Sequence, residues 1–223
     1  MSDLIYQTRQ RVAETGRLLF QRHLTDLAGG NISARAGDLL CMTPRYSGSK
    51  YHWDLRPEDV LVVDLQENIL EGEGAISREA GVHFALMREF HDGQAVIHAH
   101  PRNVMVFSMA RQPIQPVLEG TAKFGVIRVC QPAPSHTPEL PEFVAAEFRG
   151  QEATIRKQGA AVLAPWHGIF VIGKDLDAAL DTVERIDTNA YCLMMGRLLP
   201  GMADRSAETI SADLLRDLER YQK

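Results

Sequence analysis

Apolar side chains open the chain in a helical rhythm. Ile5, Val12 and Leu19 recur every seven residues, and Leu18 and Phe20 widen the stripe. This spacing predicts a packed helix over 3–24, with Ser2 as its cap. The rhythm stops at Ala28-Gly29-Gly30-Asn31, where two glycines allow backbone conformations closed to other residues. Alternation then begins in Ile32-Ser33-Ala34-Arg35, and Leu39-Leu40-Cys41-Met42 reads as a paired second strand. A polar, turn-rich loop follows, Thr43-Pro44-Arg45-Tyr46-Ser47-Gly48-Ser49-Lys50, of the kind that carries binding groups when set on a rigid sheet.

Farther along, Val60–Asp64 reads as a strand, Leu70–Gly74 as a turn, and Ser77 to Phe90 as a helix that Ser77 can cap. Gln94–His100 is a strand closed by Pro101, and a short helix through Val104, Val106 and Met109 follows it. Then come a strand at Gly125–Val129, a helix from Pro138 to Arg149, and strands at Ala160–Ala164 and Ile169–Gly173 joined through Trp166-His167-Gly168. Asp175 caps a long helix carrying Ala179, Leu180, Val183, Ile186, Ala190 and Met194, and a last amphipathic helix runs from about Ser206 to Tyr221. Strand and helix signals alternate without a linker, repeat or break in composition. The expectation is one α/β domain over 1–223, with a mixed sheet between helices.

Composition narrows the function classes. With 223 residues and 45% hydrophobic content the chain can bury a sizeable core. Its 24 basic against 29 acidic residues leave a net charge of -5, and no basic run is long enough to track a phosphate backbone. Nucleic acid is therefore a poor partner. No window approaches the roughly 18 apolar residues of a membrane helix, and the N-terminus opens acidic and amphipathic, so a soluble cytoplasmic protein is expected. Cys41, Cys130 and Cys192 are odd in number and widely spaced, and read as reduced thiols.

His98 and His100 are the strongest chemical signal. Two apart on a strand, their imidazoles leave the sheet on one face and can converge on one point. Such a pair can equally be structural, held by hydrogen bonds in a partly buried sheet. His167, at a strand-turn-strand corner before Gly168, and Glu79, at the start of the helix preceding the His98 strand, are the candidates to complete the set. Taken alone, His167 reads as a turn residue and Glu79 as compensation of a helix dipole. Together, three imidazoles and a carboxylate would suit Zn²⁺ or Mn²⁺ in a Lewis-acid role.

Gly29-Gly30-Asn31-Ile32-Ser33, Met42-Thr43-Pro44, Ser77-Arg78-Glu79 with His83, Val96-Ile97-His98-Ala99-His100 and Trp166-His167-Gly168 stand in a distinctive order. In that order and spacing the chain resembles the class II aldolase/adducin family, which includes fuculose phosphate aldolases and ribulose phosphate 4-epimerases. The resemblance covers about residues 5–200. It implies a three-layer αβα sandwich with a central mixed, largely antiparallel sheet, and a homotetramer with active sites between neighbouring subunits. It also implies a divalent metal on His98, His100 and His167. Glu79 would ligate the empty metal site and act as general base or acid once substrate binds. Gly30, Asn31, Thr43 and Ser77 match the family's anion-pocket positions. The implied reaction is retro-aldol cleavage of a hydroxy-keto sugar, in the family most often a sugar phosphate, through a metal-stabilised enediolate.

The chain departs from that pattern in two places. Family members carry a second serine where this chain has Arg78, and Thr-Pro-Ser-Gly or Thr-Pro-Thr-Gly where this chain has Thr43-Pro44-Arg45-Tyr46. Either arginine replaces hydroxyl donors as a bidentate anion clamp, or the bound anion is a carboxylate; Arg78 pointing to solvent is the other reading. In the aldolases a tyrosine from the next subunit serves as second acid/base; Glu119 occupies that place here, and Tyr221 near the C-terminus is a second candidate. His52 and Trp53 either shape the pocket mouth or pack. Epimerase, decarboxylase and dehydratase chemistry on the same site remain alternatives, as does a non-catalytic adducin-like scaffold. The retained metal ligands count against the scaffold.

Overall fold

The computed structural model describes residues 2–220. Helix α1 (Ser2–Gln21) leads into the hairpin β1 (Asn31–Ala36) and β2 (Leu39–Met42), then β3 (Leu61–Val63) and β4 (Ile69–Glu71). After α2 (Ala80–Glu89) come β5 (Ala95–Ala99), α3 (Arg102–Ala110), the single turn α4 (Glu119–Ala122) and β6 (Arg128–Val129). The chain continues through α5 (Glu139–Phe148), α6 (Glu152–Lys157), β7 (Gly159–Ala164), β8 (Gly168–Gly173), α7 (Leu176–Gly196) and α8 (Ala207–Glu219).

The strands form one open sheet in the order β4-β3-β2-β1-β5-β8-β7-β6. Every pairing is antiparallel except β6 with β7, so the sheet is mixed and largely antiparallel, as the family resemblance implied. Because side chains alternate along a strand, each central strand feeds two cores. Ile97, Ile169 and Val171 join Val12 and Leu19 of α1 and Val183 and Ile186 of α7 on one face. Val96, Phe170 and Ile172 join Phe84 of α2, Phe148 of α5 and Ile155 of α6 on the other. The result is a three-layer αβα arrangement. Among the described residues no helix is long and apolar enough to cross a membrane.

The heptad of Ile5, Val12 and Leu19 is buried as its spacing predicts, whereas Leu18 points outward at 41% exposure. Asp175 caps α7, its carboxylate accepting from the Ala178 amide at 2.7 Å, and Ser206 caps α8. Ser2 lies within α1 rather than ahead of it. The segment 70–74 is not wholly a turn: Leu70 and Glu71 belong to the exposed edge strand β4, whose register slips against β3 at Val62/Val63. Two short helices, α4 and α6, carry too few turns to show a hydrophobic period in sequence. Helix α2 begins three residues later than Ser77, with Glu79 in the capping position.

Phe148 is fully buried and meets the Phe90 ring edge-on at 6.1 Å between centroids. Truncating it leaves a cavity between α5, α2 and the sheet. Phe148→Ala is expected to lower the urea unfolding free energy by about 3–5 kcal/mol; a loss below about 1 kcal/mol would show that this layer repacks freely.

Candidate metal centre and active site

Three histidines from two chain segments meet at the end of the central strands. His98 leaves β5 fully buried and stacks on Phe170 of β8, with ring centroids 4.2 Å apart. His100 sits just beyond the strand, and His167 lies on the corner between β7 and β8. The Nε2 of His98 is 3.2 Å from the Nε2 of His100 and 3.2 Å from that of His167. Glu79 closes the group: Oε2 is 3.2 Å from His98 Nε2, and Oε1 is 3.1 Å from His167 Nε2.

The second nitrogens fix what these atoms are. His98 Nδ1 lies 3.0 Å from the Ile169 carbonyl, which can only accept, so Nδ1 carries the proton and Nε2 presents a lone pair. His100 Nδ1 faces the Asp26 carboxylate at 3.4 Å, with the same consequence for its Nε2. Two imidazole lone pairs and a carboxylate therefore converge with no proton between them. Acceptors at this distance repel unless a cation sits among them. In a tetrahedral site with metal–nitrogen bonds of about 2.0–2.1 Å, ligand atoms stand about 3.3–3.4 Å apart, close to the spacing here. The donor set fits a divalent metal.

Local sequence explains why the imidazoles can approach. A Cβ on Gly29 would lie 2.5 Å from the His100 ring, so only glycine fits there. Gly30 has φ +101°, and its amide chain leads directly into β1. Asn31 pairs opposite His98 in the β1–β5 register, which puts its amide on the same face. From there Nδ2 donates to Glu79 Oε2 and to Ser77 Oγ, each at 3.1 Å. On the other side, buried Ser108 of α3 holds the corner: its Oγ donates to the Ala164 carbonyl and accepts from the His167 amide. Trp166 bends there with φ +58°, half exposed beside the ligand it precedes.

Electrostatics follow the geometry. Burial alone would push the Glu79 carboxyl up, but the imidazoles of His167 and His98 facing it hold it well below the usual carboxylate range. Burial, reinforced by His98, pushes His100 down to about 4, against the pull of Asp26. Burial pushes His83 down to about 3; its Nδ1 meets Ser33 Oγ at 2.7 Å inside the α2 layer, while Nε2 has no partner. Burial keeps both imidazoles neutral. Burial likewise raises Cys41 to about 11 and Cys130 to about 12, so neither is a thiolate nucleophile.

The remaining sequence candidates divide. Ser77, Arg78, Gly30 and Glu79 line one cleft. Thr43 does not open into it: fully buried, its hydroxyl accepts from the Ile32 amide at 3.0 Å and ties β2 to β1. Trp53 is core, stacked under Gly16 and donating to the Asp26 carbonyl. Glu119 opens α4, exposed, in the layer of α7 and α8, and does not join the histidines within one chain. Tyr221 lies outside the described residues. Asp26 and Ser108 position metal-site histidines without having been singled out in sequence. Asp26 had a local signal, an Asx turn whose carboxylate accepts from the Ala28 and Gly29 amides; Ser108 had none.

An open αβα sheet carries a three-histidine, one-carboxylate cluster at its strand ends that could hold a metal ion. The chain belongs to the family described as the Class II Aldolase and Adducin N-terminal domain, which matches residues 10–194. It is similar to a solved L-fuculose 1-phosphate aldolase, at 26% identity and TM-score 0.77, covering 93% of this chain and 95% of that one. It is 29% identical to a 3-oxo-tetronate 4-phosphate decarboxylase of Haemophilus influenzae, over 94% of this chain and 98% of the relative. It is 27% identical to a methylthioribulose-1-phosphate dehydratase of Methylococcus capsulatus, over 84% and 93%. The family uses a divalent metal, and the three-histidine group can hold one. Its named relatives catalyse different reactions, so the reaction is not set by membership.

The buried titrating groups give a pH signature. His83 and His100 protonate in the unfolded chain near 6.5 but resist protonation when folded. As pH falls below 6.5, the unfolded state gains protons first, so stability of the metal-free protein falls by up to about 1.4 kcal/mol per pH unit for each histidine. Glu79, depressed from 4.5, adds a further loss below that value. Urea midpoints at pH 7 and pH 5 check this; equal midpoints would mean the imidazoles are solvated.

Proposed function

We propose that the chain is a divalent-metal-dependent lyase that cleaves a carbon–carbon bond of an anionic hydroxy-keto compound by retro-aldol chemistry. The observation that carries the reading is the convergence of His98, His100, His167 and Glu79 on one point within about 3.2 Å. A divalent cation there would supply Lewis acidity toward a keto oxygen. Imidazole-rich sites favour zinc over manganese by intrinsic affinity.

Glu79 is the group able to move a proton. Its carboxylate is ionised, faces the centre, and is steered by the Asn31 amide on Oε2. A base held this way can take the proton from a substrate hydroxyl or return one to carbon as the bond breaks. Ser77 stands behind it, receiving hydrogen bonds from Asn31 and from the Glu79 amide at 3.4 Å. Phe170, stacked on the His98 ring, closes the buried side of the site. Arg78 lines the cleft on the Glu79 side and suits an anionic substrate end, so a sugar phosphate is the leading substrate class.

Decarboxylation of a keto acid phosphate is the second reading. It is favoured by the relative of that activity, which matches over 94% of this chain. Assembly as a homotetramer with sites between subunits is part of the proposal. Met109, Trp166, Leu198 and Leu199 are each more than half exposed in the isolated chain, and a partner surface would cover such side chains. Glu119 and Tyr221 are the residues offered as second acid/base across that boundary.

Glu79→Gln is expected to retain bound metal but lose at least about a hundredfold in kcat, the scale of general acid–base catalysis. The assay offers ketose 1-phosphates, 5-phosphates and keto acids, with detection of dihydroxyacetone phosphate, aldehyde, pyruvate and carbon dioxide. Chelator-sensitive aldehyde release supports the lyase. Carbon dioxide released together with a ketone and without aldehyde replaces retro-aldol cleavage with decarboxylation, and a fully active Glu79→Gln variant removes Glu79 from the mechanism.

A further inference from the structure

At every second residue of β1, a side chain on one face of the strand reaches across to helix α2. Asn31 Nδ2 donates to Glu79 Oε2 at 3.1 Å. The Ser33 hydroxyl meets His83 Nδ1 at 2.7 Å, and the Arg35 guanidinium donates to the Met87 carbonyl. The partners along α2, Glu79, His83 and Met87, are spaced four apart and follow one side of the helix. Two strand residues advance about 6.6 Å and four helical residues about 6.0 Å, so the three rungs keep step.

The outer rungs also serve other partners. Asn31 donates to Ser77 Oγ, and Arg35 Nε donates to the Gly93 carbonyl at 3.2 Å. The middle rung stands by itself: Ser33 and His83 are both fully buried, and His83 Nε2 has no hydrogen-bond partner. A buried imidazole with one nitrogen unpaired is costly, and an apolar side chain in its place would carry no such atom. What the histidine supplies is a fixed link at Nδ1, one helical turn after Glu79. That turn needs support from outside the helix. Glu79 holds the capping position of α2 but gives its carboxylate to His98 and His167 rather than to the helix amides.

We infer that His83 is a positioning residue for Glu79: its link to Ser33 fixes the first turn of α2 against β1 and so sets the direction from which the carboxylate enters the histidine cluster. It acts through the helix and not at the reacting atoms. The consequence for turnover rests on the lyase reading, in which Glu79 moves the proton; the placement of the carboxylate does not.

The test compares the metal-loaded protein with His83→Asn and with the double variant Ser33→Ala/His83→Leu. The double variant removes both partners, leaves neither unpaired, and should melt within about 3 °C of the intact protein. Its kcat on the substrate of the panel that is turned over should still fall about tenfold or more, with KM and metal content within about twofold. Asparagine sets an amide atom close to the position of Nδ1, so His83→Asn should recover part of that loss. In the Glu79→Gln background the double substitution should cost no further turnover, since the group it aims is gone. A crystal structure of the double variant should show the Glu79 carboxylate withdrawn from His98 and His167 by about 1 Å or more. An unchanged kcat in the double variant, an unmoved carboxylate, or an equal loss in the Glu79→Gln background overturns the assignment. A displaced carboxylate in a protein without lyase turnover would sink the reaction proposal and leave the positioning role standing.

Discussion

Acceptor atoms that face one another across about 3.2 Å are the constraint on which the rest of this molecule is organised. Lone pairs of His98 and His100 and the Glu79 carboxylate repel one another in a protein interior unless a cation or a shared proton lies among them. Keeping them there requires rigid support on every side. The Ile169 carbonyl, one strand over, sets the His98 tautomer. Asp26 does so for His100, Ser108 fixes the corner that carries His167, and Asn31 holds the carboxylate. These supports come from α1's trailing loop, β1, α3 and β8. The mixed sheet is the device that brings these distant stretches of chain to one end.

Much of this was legible in sequence because it depends on period. Two-residue alternation put His98 and His100 on one face, and a seven-residue stripe buried Ile5, Val12 and Leu19. Legibility failed where position depends on tertiary partners. Leu18 continues the apolar stripe yet turns outward, since the sheet meets only part of the helix circumference. Ser77 has the residue type of a cap, but its hydroxyl serves Asn31, and the helix waits until Ala80 so that Glu79 can leave the helical path toward the histidines. The family resemblance put Thr43 at an anion-pocket position; the structure shows its hydroxyl consumed by a strand pairing that no spacing rule reveals. Ser108 gave no signal because a buried serine in a helix looks like any other small residue.

Family membership and fold leave the reaction open. Similar chains are named for an aldolase, a decarboxylase and a dehydratase, and all of these can draw on stabilised negative charge beside a carbonyl. The groups flanking the histidine cluster are where such chains can differ. In this chain those are an ionised glutamate steered by an amide and an arginine-lined cleft. The exposed Trp166 corner completes the surroundings.

What the convergent acceptors of His98, His100 and Glu79 are proposed to hold is a cation. Isothermal titration of chelator-treated protein with Zn²⁺, compared with His98→Ala, addresses it directly. One equivalent per chain, with binding abolished or weakened by at least about a hundredfold in His98→Ala, is the expected result. Zinc binding that survives His98→Ala unchanged, or its absence from the intact protein, would contradict the account and return the three imidazoles to an ordinary hydrogen-bonded cluster.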